Sequence, residues 1–84
     1  MKKTEKKNHA CFICEYGWII CGIVEKRDDD IVTLSNSAVV RKWRNGKGIG
    51  AISKKKYKDD YTLDEIGDVR IKQNKVLFEI PCEW

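Results

Sequence analysis

The residues best equipped for chemistry lie in one short run, Arg41-Lys42-Trp43-Arg44-Asn45-Gly46-Lys47-Gly48. Arginine presents forked N–H donors that match a phosphate. An indole offers a flat face on which a base stacks, and glycines let backbone N–H groups approach an anion closely. In an extended strand Arg41 and Trp43 share one face, Lys42 and Arg44 the other. The candidate ligand-binding set is therefore Arg41 as clamp and Trp43 as stacking face, with Arg44, Asn36, Lys47 and the backbone of Gly46 and Gly48 as further donors. The glycines do not form a phosphate loop, which would read GxxxxGK[ST] after a strand. A second reading stands beside the first: Trp43 belongs to the core and its basic neighbours are a solvated edge that discourages association between sheets. Lys54-Lys55-Lys56-Tyr57-Lys58 either tracks a nucleic-acid backbone or is plain solvated surface.

The other reactive residue types lack the company that catalysis needs. His9 is the only histidine and sits beside a lysine-rich start, whereas a nucleophilic triad needs its histidine buried against a partner. The carboxylate clusters Asp28-Asp29-Asp30 and Asp59-Asp60 fall in turn-like, charged stretches where solvation keeps acid–base behaviour ordinary. The aspartate triplet also lacks the alternating ligands, central glycine and final glutamate of a calcium loop. Cys11 and Cys14 have zinc-like spacing, yet the spacer is apolar and no second CxxC or HxxxH follows. In a strand, residues three apart point to opposite faces, so both thiolates would not reach one metal. Cys11, Cys14, Cys21 and Cys82 then act as small reduced hydrophobes. These observations predict no enzymatic activity, no metal and no cofactor.

Charge sharpens the picture. The formal charge is +4, but Lys2, Lys3, Lys6 and Lys7 against Glu5 account for most of it. Residues 41–58 carry eight bases and no acid, and residues 59–68 carry five acids and no base. Such a bipolar chain presents a local field to an anion, or pairs its blocks within or between subunits. No apolar run approaches the ~20 residues that span a bilayer, and no small-residue cleavage site follows the basic start. The expectation is a cytoplasmic protein that meets no membrane.

The elements that must position these residues come from an 84-residue chain, which makes one domain with a thin core. Residues 1–8 read as a disordered basic tail and residues 9–84 as a single small β domain. Residues 11–26 are rich in Ile, Val, Phe, Tyr and Trp and predict a strand, with Gly17 and Gly22 as bulges or points of close approach. From Trp18 to Val24 neither face of that strand is polar, so it needs covering twice. A second subunit is the expected second cover, hence a homo-oligomer; a short helix over Ile19 and Ile23 is the alternative. Residues 31–34 return, Ser35-Asn36-Ser37 interrupts, and residues 38–44 resume as a bent strand. Residues 51–57 predict one or two helical turns with Ile49 and Ile52 inward, and residues 62–65 a polar connection. Val69 and Ile71 alternate with Arg70 and Lys72 into a closing hairpin over Gln73-Asn74. The predicted fold is mostly β: about five strands and one short helix, as a small SH3-like, partly open barrel or a strongly bent antiparallel sheet.

Val32-Thr33-Leu34-Ser35-Asn36, then Ala38-Val39-Val40-Arg41-Lys42-Trp43 with its glycine-containing turn and Ala-Ile step, and finally Val76-Leu77-Phe78-Glu79-Ile80-Pro81-Cys82 together resemble a family of short phage and prophage proteins. The charged segment 54–61 and the Cys11/Cys14 start depart from that pattern. The resemblance implies a phage origin and, by analogy with small oligomeric β-proteins that hold nucleotides, a counter-defence role. The expected function is sequestration of a small anionic nucleotide-type signal, a cyclic nucleotide or an ADP-ribose derivative. The alternatives are a nucleic-acid-binding small barrel and a protein–protein inhibitor of a host enzyme.

Overall fold

The computed structural model describes residues 8–44, 46 and 48–83. Of the predicted basic tail, residues 1–8, the first seven lie outside the described residues, and Asn8 takes part in the fold, its carbonyl accepting from the Val24 N–H at 2.8 Å. Five strands form one antiparallel sheet: β1 (His9–Cys14), β2 (Ile19–Arg27), β3 (Ile31–Trp43), β4 (Tyr61–Lys72) and β5 (Val76–Pro81). Their spatial order is β4-β3-β2-β1-β5, so the sheet ends in two strands that do not pair with each other and does not close.

The strand number matches the expectation, but the boundaries differ in two places. The run 11–26 is two strands, because Tyr16 and Gly17 both take positive φ and turn the chain back on itself. The Cys14 N–H donates to the Trp18 carbonyl at 2.8 Å and closes that hairpin. Conversely, the polar residues 62–65 lie within β4, where cross-strand pairing with β3 overrides their low strand propensity. The expected short helix is a pair of 3-10 turns, Ile49–Ser53 and Lys55–Asp60, and Ile52 is fully buried as predicted.

How one sheet buries both faces follows from the residues. On β1, Ala10, Phe12 and Cys14 point to one face and Cys11 and Ile13 to the other, as strand alternation requires. The first face gathers Val32 and Leu34 of β3 and Ile71 of β4. The second gathers Ala38 and Val40 of β3 and Tyr61 of β4. Leu34 and Ala38 have the same parity yet serve opposite cores, so the alternation inverts between them. Asn36 lies at the inversion with φ 49, and Gly67 with φ 79 stands opposite, paired through Ser37. A left-handed residue plus a bulge reverses which face a strand presents, and asparagine and glycine are the types that adopt it readily. The β3–β4 hairpin is thus apolar on opposite faces in its two halves.

The doubly apolar β2 is accordingly covered twice within the chain. Ile20 and Val24 pack on the first core; Ile19 packs on the second, to which Ile49 and Ile52 of the 3-10 turn and Ile80 and Cys82 also belong.

β2 and β3 approach closely at Gly22. A Cβ there would meet Ser37 Oγ at 2.8 Å, Leu34 Cβ at 3.2 Å and the Ser35 carbonyl at 3.2 Å. Ser37 Oγ is itself buried without a hydrogen-bond partner among the described residues. Gly22→Ala is therefore expected to destabilise the fold by about 1–3 kcal/mol, the range for overpacking. Ser37→Ala, which removes an unsatisfied hydroxyl, is expected to be neutral or stabilising and to recover part of that loss in the double variant. Urea unfolding of the two single variants and the double variant checks this; additive losses would contradict it.

Candidate functional site

The Arg/Trp run lies at the end of β3, and β4 decides its geometry. Val40 pairs with Leu63 and Lys42 with Thr62, which leaves Arg41 as the extra residue of a bulge. The bulge shifts the alternation. Trp43 then pairs with Tyr61, its ring 5.9 Å away at 44°, on the side of the second core. Arg41 turns to the opposite side, where its Nε and Nη2 donate to one Asp64 carboxylate oxygen at 3.1 and 2.9 Å. Arg44 donates to the Asp59 carbonyl at 3.0 Å and lies 3.9 Å from the Asp60 carboxylate. The basic block thus meets the acidic block within the chain, and Arg41 and Trp43 are not brought together.

The remaining candidates have structural settings of their own. Asn36 is exposed and supplies the left-handed kink. The Gly48 carbonyl accepts a hydrogen bond from the Tyr61 hydroxyl, with Gly48 at φ 74. Gly46 is an exposed turn residue, and Lys47 lies outside the described residues.

A groove of about 360 Å³ opens elsewhere, between the β1–β2 hairpin and the C-terminal half of β4. Its floor is the rim of the first core, Cys14, Ile20, Val69 and Ile71, and Tyr16 and Trp18 contribute its aromatic wall. Lys75 lines it from the hairpin side, and Arg70 and Lys72 line it from the free edge of β4, where they alternate with the core-facing Val69 and Ile71. Lys75 is 3.5 Å from Glu15, whereas Arg70 and Lys72 have no carboxylate partner among the described residues. The groove exists because the sheet is open: four consecutive residues, 69–72, line it along the free edge of β4.

Both aromatic residues are conspicuous. Trp18 is 56% exposed and Tyr16 94% exposed. Tyr16 adopts φ 63 and ψ 22, a left-handed conformation that costs a residue with a Cβ about 1–2 kcal/mol. The signals for these residues were present in the sequence, as two aromatics flanking Gly17 and as Val69-Arg70-Ile71-Lys72 alternation. Strand-like surroundings mask them, because nothing local in the sequence brings the hairpin to β4.

The cysteines divide as alternation requires. Cys14 faces the first core, while Cys11, Cys21 and Cys82 gather in the second, with Cys11 directly opposite Cys21 in the sheet. Among the described residues no group of three His, Cys, Asp or Glu side chains is arranged to hold a metal. Burial, reinforced by the neighbouring Cys21, Cys82 and Cys14 thiols, pushes the Cys11 thiol far above its ordinary value near 9. Burial likewise pushes Cys21 up to about 11 and, with Cys21 adding to it, Cys82 up to about 12. These are inert, protonated thiols.

No helix among the described residues is long and apolar enough to cross a membrane. Comparison of the chain with protein families, curated proteins and solved structures finds no match.

The raised thiols carry a pH dependence. An unfolded cysteine loses its proton near pH 9, while the folded Cys21 and Cys82 hold theirs to about 11 and 12. Between those values the unfolded state binds fewer protons, so this contribution to stability is complete below pH 9 and lost as pH rises through 9 to 12. The melting temperature is expected to fall less steeply between pH 9 and 11 in Cys82→Val than in the wild type. Parallel slopes would contradict the assignment.

Proposed function

We propose that the protein is a non-enzymatic binding domain that sequesters a small anionic nucleotide-type ligand, held in the groove beside the β1–β2 hairpin. The observation that carries this reading is the pairing of an apolar, aromatic-walled groove with two cations, Arg70 and Lys72, that have no carboxylate partner among the described residues. A nucleotide has the matching halves, a flat ring and a phosphate. Small-molecule sites are commonly concave and apolar, of about 300–1,000 Å³, with a few placed polar groups, and guanidinium and ammonium groups form charge-assisted hydrogen bonds to phosphate. The Arg41 guanidinium, already spanning to Asp64, is less available for an anion. A phage-encoded protein of the bacterial cytoplasm that withholds a host's cyclic nucleotide or ADP-ribose-type signal is the setting in which such sequestration acts.

Thermal-shift titration with cyclic mono- and dinucleotides and ADP-ribose derivatives tests the reading. A ligand at 100 times its Kd adds about 2.7 kcal/mol of stability. Trp18→Ala is expected to abolish the shift. Arg70→Ala with Lys72→Ala is expected to weaken binding at least about tenfold, since hydrogen bonds to charged groups contribute about 1.5–3 kcal/mol each. Arg41→Ala, which breaks only an exposed ion pair, is expected to leave binding unchanged. A null result across the panel would sink the proposal. Binding confined to oligonucleotides and abolished by moderate salt would point instead to a nucleic-acid ligand.

A further inference from the structure

Tyr16 occupies a conformation that the hairpin requires but that its residue type disfavours. Tyr16 and Gly17 have φ 63 and 80, consecutive positive values of the kind found at the centre of a type I′ hairpin turn. The first of those positions is normally asparagine, aspartate or glycine. This chain places asparagine at its other positive-φ non-glycine residue, Asn36. Tyr16 nevertheless carries a large ring that is 94% exposed. Among the described residues that ring has no hydrogen bond, ion pair or aromatic partner. A disfavoured residue type kept at a turn that asparagine or glycine would fill without strain marks a side chain held for another purpose.

The surroundings indicate the purpose. Tyr16 and Trp18 flank Gly17 and line the same groove, and Trp18 also has no aromatic partner among the described residues. The charge along the groove is uneven. Beside the hairpin, Glu15 is 3.5 Å from Lys75 and would repel a second anion, whereas Arg70 and Lys72 stand on the β4 edge of the groove with no carboxylate partner among the described residues. A phosphate therefore belongs at Arg70 and Lys72, and the uncharged flat part of a ligand at Tyr16 and Trp18.

We propose that Tyr16 and Trp18 grip a nucleobase, so that the groove selects base-bearing nucleotides over phosphosugars and polyphosphates, and that a tyrosine is kept at the strained turn position for this contact. The inference rests on the groove being the ligand site. It makes an unusual demand of one substitution. Tyr16→Asn gives the turn the residue it prefers, so it should raise the melting temperature while lowering affinity.

Wild type, Tyr16→Asn and Tyr16→Phe are titrated calorimetrically with adenosine 5′-monophosphate and with ribose 5-phosphate, and each is melted without ligand. The wild type and Tyr16→Phe are expected to prefer the nucleotide by roughly tenfold or more, the range for stacking one base on an aromatic ring. Tyr16→Asn is expected to melt higher, to lose most of that preference and to bind ribose 5-phosphate as the wild type does. If Tyr16→Asn binds the nucleotide as tightly as the wild type, the role of Tyr16 is overturned and the groove stands as a ligand site. A lower melting temperature in Tyr16→Asn would show that Tyr16 serves the fold, which also overturns it. Binding of neither compound by the wild type would overturn the groove itself.

Discussion

The close approach of β2 and β3 at Gly22 is the constraint on which the rest of the structure depends. With only a hydrogen on β2, Ser37 and Leu34 of β3 come within 3.2 Å of where a side chain would begin. Immediately beyond, Asn36 and Gly67 take left-handed conformations and β3 and β4 exchange their inward and outward faces. A thin chain thereby builds two cores on opposite sides of β1 and β2, one beneath the hairpin and one beneath the 3-10 turns. Without the inversion, one face of a strand as apolar as β2 would meet water.

The same inversion fixes where charge is free and where it is satisfied. On the half of β4 before Gly67, Asp64 faces Arg41 across the sheet, and Asp59 and Asp60 meet Arg44 beside it. Beyond Gly67 the exposed charged positions are Asp68, Arg70 and Lys72, and neither Arg70 nor Lys72 has an acid within ion-pairing distance among the described residues. Because β4 is an edge strand, that second half is open to solvent along its free side. The groove is the place where an apolar core, an unpaired edge and unneutralised charge coincide.

Much of the fold was legible in the sequence. The class, the number of strands, the bend at Ser35-Asn36-Ser37, the inward Ile52 and the opposed faces of Cys11 and Cys14 all follow from composition and alternation. The break at Gly17 was hidden because Tyr16 and Trp18 are good strand formers, and the register of β4 was hidden because residues 62–65 are polar. The candidate site was less legible. The Arg41–Trp43 pairing assumed unbroken alternation, and a bulge, set by the β4 partner rather than by β3 itself, undid it. The groove unites residues about 50 positions apart along the chain, a juxtaposition that only the sheet topology supplies.

The central claim is that ligand binding belongs to the open edge between the hairpin and β4, and not to the basic end of β3. Amide chemical-shift mapping during titration with adenosine 5′-monophosphate tests it most directly. The proposed site predicts perturbations concentrated at residues 14–20 and 69–75, with residues 41–48 unmoved. Shifts confined to residues 41–48, or none at saturating nucleotide, would contradict it.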